Sequence, residues 1–150
     1  GPSRRSKEIN LITEKALFPV LDLSEFPGSA VDVYIELLQT DAGTRCAGIN
    51  AAALALADAG FQMRDMVSAV SIGRLGNQVV ADLNNEEEHY EQGSTDIPIA
   101  MLPRTGEISL LQMDGFVKQN ELPEILKTAK KAIIQVSKVQ QEALKARYKK

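Results

Sequence analysis

The sequence contains 150 residues, of which 44% are hydrophobic and 25% charged, with a formal net charge of −3. The length corresponds to about one domain, and the composition excludes collagen-like, low-complexity and disulfide-scaffold classes. No apolar run approaches the roughly 18 residues that a membrane-spanning helix needs, and the first residues lack the apolar stretch of a signal peptide. We therefore expect a soluble, intracellular protein without a membrane partner.

The chain has one cysteine, Cys46, and one histidine, His89. A single cysteine excludes an intrachain disulfide, and the two residues leave little material for zinc sites or for Cys-His and Ser-His catalysis. Charge is uneven along the chain: residues 82–96 contain six acidic and no basic side chains, whereas residues 121–150 contain eight basic and three acidic ones. Local clusters are therefore more informative about partners than the net charge is.

The first segment predicts a helix that is capped by Ser3 or Ser6 and that Pro19 stops after Leu17. Apolar periodicity and turn residues then predict the other elements in chain order: a strand over 30–39, a helix over 46–59, strands over 66–73, 78–83, 97–102 and 107–113, and a helix over 121–148. The acidic, polar residues 84–95 are interpreted as a loop.

The four later strands form two hairpins, with turns at residues 75–77 and 104–106. This order of elements predicts an α+β fold in which helices pack on a largely antiparallel sheet. Met101 and Met113 are expected in the core. The last helix is amphipathic, and its expected buried side consists of Leu122, Ile125, Leu126, Ala129, Ile133, Val136, Val139, Ala143 and Leu144.

The junction DAGTR at residues 41–45 is the most informative segment for chemistry. A strand ends there, Gly43 permits close backbone approach, and a helix begins, so free N–H groups and the positive end of the helix dipole suit an anion such as phosphate. Thr44 adds a hydroxyl donor, and Arg45 adds a planar charged fork suited to phosphate oxygens. The alternative is a capped helix in which Arg45 pairs with a nearby acid, because short Gly-Thr junctions are common and weakly specific.

Four other charged residues are candidates. Arg4 and Arg5 suit the phosphates of a nucleic-acid backbone, or they form a solvated helix start. Asp96, where the polar loop meets a strand, suits a general acid or a ligand of a divalent metal, although a lone aspartate is often a turn residue. Asp82 either supports the same site or simply ends its strand. His89 is expected to be exposed rather than catalytic.

Six motifs occur in an order that is far more specific than any one of them: PSRRSKEI (2–9), DAGTR (41–45), AALALADAG with MRD (52–65), ADL (81–83), DIPIAM (96–101) and LLQMDG (110–115). In these motifs the chain resembles the RNase PH family, and most closely its branch of catalytic subunits of archaeal exosomes. The resemblance implies an RNase PH-like fold, of the ribosomal protein S5 domain 2-like kind, with a mixed sheet and packed helices. Residues 1–150 would form the C-terminal portion of that fold, without its N-terminal part.

Members of this family are phosphorolytic 3′→5′ exoribonucleases, in which inorganic phosphate attacks the terminal phosphodiester and releases a nucleoside diphosphate. Three groups of residues match the family's site: the phosphate-binding Gly43, Thr44 and Arg45, the RNA-binding Arg4 and Arg5, and the acidic Asp96. The resemblance implies that Asp96 is the general acid for the departing 3′-oxygen and a ligand of Mg²⁺. Asp82 is the candidate supporting acid.

The resemblance also implies partners and a location. These are the RNA 3′ end, an inactive RNase PH-like subunit in a heterohexameric ring, RNA-binding cap subunits, and the cytoplasm. One departure is the longer loop before Asp96, where Tyr90 replaces a family aspartate and Glu88 or Glu91 would compensate. The alternative function is a non-catalytic ring subunit that binds RNA or supports assembly. An unrelated α+β RNA-binding module would not explain why DAGTR and DIP occur together.

Overall fold

The computed structural model describes residues 3–90 and 94–149. In these residues the helices are α1 (Arg4–Leu17), α2 (Thr44–Asp58), α3 (Asn85–Glu88) and α4 (Leu122–Tyr148), and the strands are β1 (Ser68–Leu75), β2 (Gln78–Ala81), β3 (Ser94–Met101) and β4 (Ile108–Leu111). The strands form one sheet in the order β2-β1-β3-β4, and each of its three pairings is antiparallel. The α+β class is thereby confirmed.

The two faces of the sheet are covered by different helices, because successive strand residues point to opposite sides. On β3, Ile97 and Ile99 join an apolar core beneath α4, whereas Ala100 joins a second core with residues of α1 and α2. The same alternation places Ser71 of β1 and Asp96 of β3 on the α1–α2 side. Asp96, the candidate acid, therefore lies between the sheet and these two helices.

The helices agree well with the sequence pattern. Ser3 is the cap of α1, because its hydroxyl accepts a hydrogen bond from the N–H of Ser6 at 3.1 Å. The chain leaves α1 through a 3₁₀ turn at Phe18–Val20, since Pro19 cannot continue the helix. Both α2 and α4 lie within two residues of their predicted bounds.

The predicted strand over residues 30–39 is wrong: this segment has no regular secondary structure. A strand requires a neighbour with which to exchange ladder hydrogen bonds, and the described residues offer none to this segment. The alternation is reflected in the packing only in part, because Val31 and Ile35 contact the core beneath α1 and α2 whereas Val33 and Leu37 are exposed. Tyr34 and Leu38, in contrast, are 87% and 97% exposed.

The acidic segment is more structured than a loop. The short helix α3 lies within residues 84–95, and the side chains of Asn84 and Glu87 form a reciprocal capping box at its start. β3 begins at Ser94, three residues earlier than expected, while the other strands agree with their predicted bounds to within two residues. Residues 91–93 of the predicted loop, including Glu91, lie outside the described residues.

The buried side of α4 is predicted correctly only in its first half. Towards its C terminus the buried residues are Ser137 and Gln140, whereas Val139 is 65% exposed. Gln140 is retained inside because its amide contacts Ser68, Asn50 and Val67. Met113, expected in the core, is 45% exposed just beyond the edge strand β4. No helix in the described part of the chain is long and apolar enough to cross a membrane.

Candidate active site

An open cleft of about 730 Å³ lies between the first turns of α1 and α2 and the sheet face that carries Asp96. The sequence-predicted residues that line it are Arg4, Arg5, Gly43, Thr44, Arg45 and Asp96, together with Glu88, one of the two acids named to compensate for Tyr90. They come from three segments that are distant in the chain, and the fold brings them together. Asp82 is not among the residues that line the cleft.

The start of α2 forms one end of the cleft. Gly43 is the N-cap residue and has a left-handed backbone with φ of +61°, a conformation that glycine adopts without a Cβ clash. No side chain caps this helix end. The N–H groups of its first turn, at the positive end of the helix dipole, are therefore left for an external acceptor.

Asp82 lies beside this helix start. Its Oδ1 is 3.6 Å from the position that a Cβ on Gly43 would occupy, and its backbone N–H donates to the carbonyl of Ser71 at 2.7 Å. Asp82 itself has a left-handed φ of +63°. Its side chain thus borders the start of α2, and its role as a supporting acid stays a prediction.

Asp96 is held by both its backbone and its side chain. Its backbone exchanges two hydrogen bonds with Asp114, at 3.0 and 2.9 Å. One carboxylate oxygen, Oδ1, accepts a hydrogen bond from the hydroxyl of Ser71. The other, Oδ2, is 3.7 Å from Nη1 of Arg45. The carboxylate is therefore fixed at the cleft wall, with 21% of the side chain exposed.

Arg45 bridges two carboxylates. Its Nη2 donates to Oε1 of Glu8 at 3.2 Å, and the same oxygen accepts a hydrogen bond from Nε2 of Gln112 at 3.0 Å. The Gln112 hydrogen bond and the charge of Arg45 hold the pKa of Glu8 below its usual range. The expectation that Arg45 pairs with a nearby acid is thus confirmed, within the same cleft that would bind an anion.

Arg4 and Arg5 occupy the first turn of α1 at the cleft rim, and both are exposed. No ion pair within residues 3–90 and 94–149 involves either of them. The charge of Arg5 acts on Glu8, where it contributes to the lowered pKa of that carboxyl. The rim of the cleft therefore presents two solvated cations.

Asp96 is the residue of this cleft that the resemblance implies as a magnesium ligand. In the described ranges no group of three or more His, Cys, Asp or Glu side chains is arranged to hold a metal ion. Mg²⁺ in phosphate-processing sites is often bound through one or two carboxylates, with substrate oxygens and water as its other ligands. Asp96, beside the anion site, fits such a shared ion, and no closed protein cage is formed.

Three residues that contact the predicted site are not identified by sequence reasoning: Glu8, Ser71 and Gln112. Two of them carry a usable pattern. Glu8 lies four residues after Arg4 on one helix, hence on the same side, and Ser71 is a hydroxyl within the apolar run SAVSIG, where it needs a partner. Gln112 follows β4, and its contact depends on tertiary structure alone.

Two further residues of the cleft are His89 and Cys46, and the exposure expected for His89 is confirmed. His89 is exposed at the cleft rim, with Nδ1 2.7 Å from the carbonyl oxygen of Asn85. Cys46 is a small packed residue, 6% exposed. Burial, together with the negative charges of Asp96 and Asp82, raises the pKa of its thiol to about 12. Cys46 is therefore neutral at physiological pH and is not an activated nucleophile.

Most of the chain matches known proteins in sequence. A model described as 3′ exoribonuclease family, domain 1, matches residues 1–62, and one described as domain 2 of the same family matches residues 65–132. The chain is 51% identical over 148 residues to the exosome complex component Rrp41 of Pyrococcus abyssi, covering 99% of this chain and 59% of that protein. It is 47% identical over 148 residues to Rrp41 of Methanopyrus kandleri, covering 99% of this chain and 61% of that protein. The chain thus spans about 59% of the length of the first of these relatives.

The fold also matches a solved structure. The crystal structure of rice (Oryza sativa) Rrp46 superimposes with a TM-score of 0.87 over 97% of this chain and 68% of that chain, at 18% sequence identity. At that identity the likeness concerns the fold alone, which is RNase PH-like. The two domain matches and the identities of 47% and 51% concern the sequence itself. This chain belongs to the 3′ exoribonuclease family, the RNase PH family that its motifs resemble.

Proposed function

We propose that this chain supplies the catalytic site of a phosphorolytic 3′→5′ exoribonuclease. In this reaction an oxygen of inorganic phosphate attacks the phosphorus of the terminal phosphodiester of RNA. The bond from that phosphorus to the 3′-oxygen of the preceding nucleotide breaks, and the 3′-oxygen takes up a proton. The products are a nucleoside diphosphate and a shortened RNA with a free 3′-hydroxyl.

The observation that carries this proposal is the proximity of Arg45 and Asp96, 3.7 Å apart in a cleft that also contains the uncapped start of α2. A phosphate ion held by Arg45, Thr44 and the backbone N–H groups after Gly43 would lie next to a carboxyl group. Positioning and neutralisation of charge account for most of the catalysis of phosphoryl transfer. Both are supplied here by groups that are fixed before a substrate binds.

In this proposal Asp96 is the general acid for the departing 3′-oxygen. The hydroxyl of Ser71 holds Oδ1, so Oδ2 faces Arg45 and the space for substrate. The carboxyl must be protonated when the bond breaks.

Arg4 and Arg5 bind the RNA phosphates near the scissile bond in this proposal. Both are exposed at the cleft rim, and contacts of this kind position the chain without reading its sequence. Alternatively, an ionised Asp96 would hold a magnesium ion together with substrate oxygens, and the proton for the 3′-oxygen would then come from water. When bound, such an ion supplies further neutralisation of phosphate charge.

We further propose that the protein acts within a ring. In this assembly it would alternate with an inactive RNase PH-like subunit, with RNA-binding cap subunits attached. The names of the relatives, which are exosome complex components, support an assembly of several proteins.

The test is product analysis with the full-length protein, assembled with its partner subunit and given a labelled RNA and Mg²⁺. Release of nucleoside diphosphates only when inorganic phosphate is present is the expected result. Nucleoside monophosphates released without phosphate would indicate hydrolysis and contradict the proposal. Arg45→Ala should raise the KM for phosphate by about tenfold or more, the loss expected for a hydrogen bond to a charged group.

Arg104→Ala is the matched control for Arg45→Ala. Arg104 is an exposed arginine that pairs with Asp65 and does not line the cleft. Its substitution removes the same charge and should leave the KM for phosphate unchanged.

The alternative function is a non-catalytic ring subunit that binds RNA or supports assembly. It is favoured by the contacts of Arg45 with Glu8 and Asp96, since two carboxylates already balance the arginine's charge. The Asp96→Asn variant separates the two functions. In a catalytic subunit it abolishes turnover and leaves RNA binding largely intact, whereas in a non-catalytic subunit the wild type forms no phosphate-dependent product.

A further inference from the structure

Glu8 connects the two binding regions of the cleft. It lies on α1, the helix that also carries Arg4 and Arg5, and its Oε1 accepts hydrogen bonds from Nη2 of Arg45 at 3.2 Å and from Nε2 of Gln112 at 3.0 Å. Gln112 is itself anchored, because its backbone N–H donates to the carbonyl of Pro98 at 3.1 Å. Glu8 therefore joins α2 to the sheet through one carboxylate oxygen.

We propose that Glu8 is a positioning residue that orients the Arg45 guanidinium for inorganic phosphate; this inference rests on the function proposed above. A guanidinium is planar, so contacts at its two terminal nitrogens fix the orientation of the whole group. Glu8 contacts Nη2, and Asp96 lies 3.7 Å from Nη1. The Nε of Arg45 is buried and has no hydrogen-bond partner in the described part of the chain.

A hydrogen bond from Gln112 stabilises the contact between Glu8 and Arg45. The side chain of Glu8 is 40% exposed, and an exposed ion pair alone is weak because it must hold two long side chains in one geometry. The second hydrogen bond, from Gln112 to the same oxygen of Glu8, further restricts this side chain. Arg45 is then ordered before phosphate binds, so that binding does not have to overcome the rotamer entropy of a free arginine.

A carboxylate beside an anion-binding arginine can also weaken anion binding, because it competes with the anion for the arginine. If Glu8 merely occupied the place of the phosphate, its removal would free Arg45 and strengthen phosphate binding. A positioning role predicts the reverse, because an arginine released from Glu8 must be ordered again by each phosphate ion. The sign of the change in phosphate affinity therefore decides between the two roles.

The experiment compares Glu8→Ala with Glu14→Ala in the full-length assembled protein. Glu14 is exposed on the same helix and forms no ion pair within residues 3–90 and 94–149, so it matches the change in charge. We expect Glu8→Ala to raise the KM for phosphate by about tenfold, the size of one hydrogen bond to a charged group, with kcat little changed. Glu8→Gln keeps an acceptor oxygen and should restore part of the loss.

A second measurement is independent of turnover: calorimetric binding of inorganic phosphate to the same assembled proteins without RNA. Weaker binding in Glu8→Ala than in Glu14→Ala supports the inference, even if the wild type releases no nucleoside diphosphate and the proposed function fails. Phosphate-dependent turnover with an unchanged or lower KM in Glu8→Ala overturns the inference while the proposed function stands. A wild type that binds no phosphate overturns both.

Gln112→Leu tests the anchoring step. If Gln112 acts through Glu8, its substitution raises the KM for phosphate in the wild type and has no further effect in the Glu8→Ala background. Additive effects of the two substitutions would overturn the anchoring role of Gln112.

Discussion

Ser71 on β1 donates a hydrogen bond to the carboxylate of Asp96 on β3, although the two residues are not opposite each other in the sheet. In the ladder Ser71 pairs with Pro98, and Asp96 pairs with Gly73. Gly73 presents no side chain opposite Asp96, so the carboxylate has the diagonal neighbour Ser71 as its cross-strand partner. This contact orients Asp96 from within the sheet, independently of Arg45.

Ser71→Ala should therefore reduce kcat by about tenfold, because it removes a hydrogen bond to a charged group. The matched control is Ser68→Ala, three residues earlier on β1. Ser68 is also buried, and its hydroxyl donates to Oε1 of Gln140 at 2.6 Å, away from the cleft. The control should lower the Tm without changing kcat. Wild-type kcat in Ser71→Ala would contradict the orienting role of this serine.

Arg5→Ala should weaken RNA binding and flatten its dependence on salt. Each phosphate contact to a single strand contributes about 0.7 to the slope of log K against log salt concentration, so the slope should fall by about that amount. Lys15→Ala is the control, since Lys15 is an exposed cation in the last turn of the same helix. Affinities measured over a range of salt concentrations test this, and an unaltered slope in Arg5→Ala would remove it from the RNA site.

Cys46 should resist alkylation in the folded protein. Burial and nearby carboxylates raise the pKa of its thiol to about 12 from the ordinary 9.0, so almost no thiolate exists at pH 8. Because the chain has no other cysteine, labelling by iodoacetamide reports on this residue alone. We expect slow labelling at pH 8 and rapid labelling in denaturant, and rapid labelling of the native protein would contradict the burial.

The same raised pKa gives stability a dependence on alkaline pH. Folding favours the neutral thiol, so this contribution to stability is complete below about pH 9 and declines as the pH rises towards 12. Unfolding in urea at pH 8 and pH 10 measures the decline, and a Cys46→Ala variant should lack this part of it.

Gly73→Ala should destabilise the protein by about 1–3 kcal/mol, the usual effect of overfilling a packed core. A Cβ at this position would overlap the buried side chain of Leu83. Gly48→Ala makes the same chemical change in α2, where the new Cβ would lie 3.4 Å from Ile35. There we expect no loss of stability, because alanine favours a helix more than glycine does. Equal Tm values for the two variants would contradict the crowding at Gly73.

The elements that local sequence determines are the ones that could be predicted. The helix α1 has a serine cap, helical periodicity and a proline after its end, and the Ala-rich α2 is followed by Gly60, so their bounds follow from local residues. The segment over 30–39 has an equally clear alternation, but alternation says which side chains are apolar and not whether a neighbouring strand exists. Likewise, Met113 is an apolar residue of the kind found in cores, but it lies beyond the edge strand β4 and is 45% exposed.

The candidate site also combines residues that the sequence identifies with residues that only the fold brings together. Its charged residues could be named from motifs, because Arg45 and Asp96 lie in short segments whose residue types already suggest phosphate chemistry. The residues that hold them are less evident: the spacing of Glu8 from Arg4 places both on one side of α1, but the contact between Glu8 and Gln112 exists only because α1 packs beside the sheet. Asp82 can be named for its side chain alone; the fold places its carboxylate beside Gly43, and its role as a supporting acid stays a prediction.

The hydrogen bond between Glu8 and Gln112 joins residues that are 104 positions apart. Contacts of such long range form only when the whole fold is assembled, whereas a single helix can detach in a local opening that leaves the central strands intact. Detachment of α1 would separate Glu8 from Arg45 without disturbing the pairing of β1 with β3. The cleft should therefore be lost at lower denaturant concentration than the sheet, and phosphate binding would report the earliest stage of unfolding.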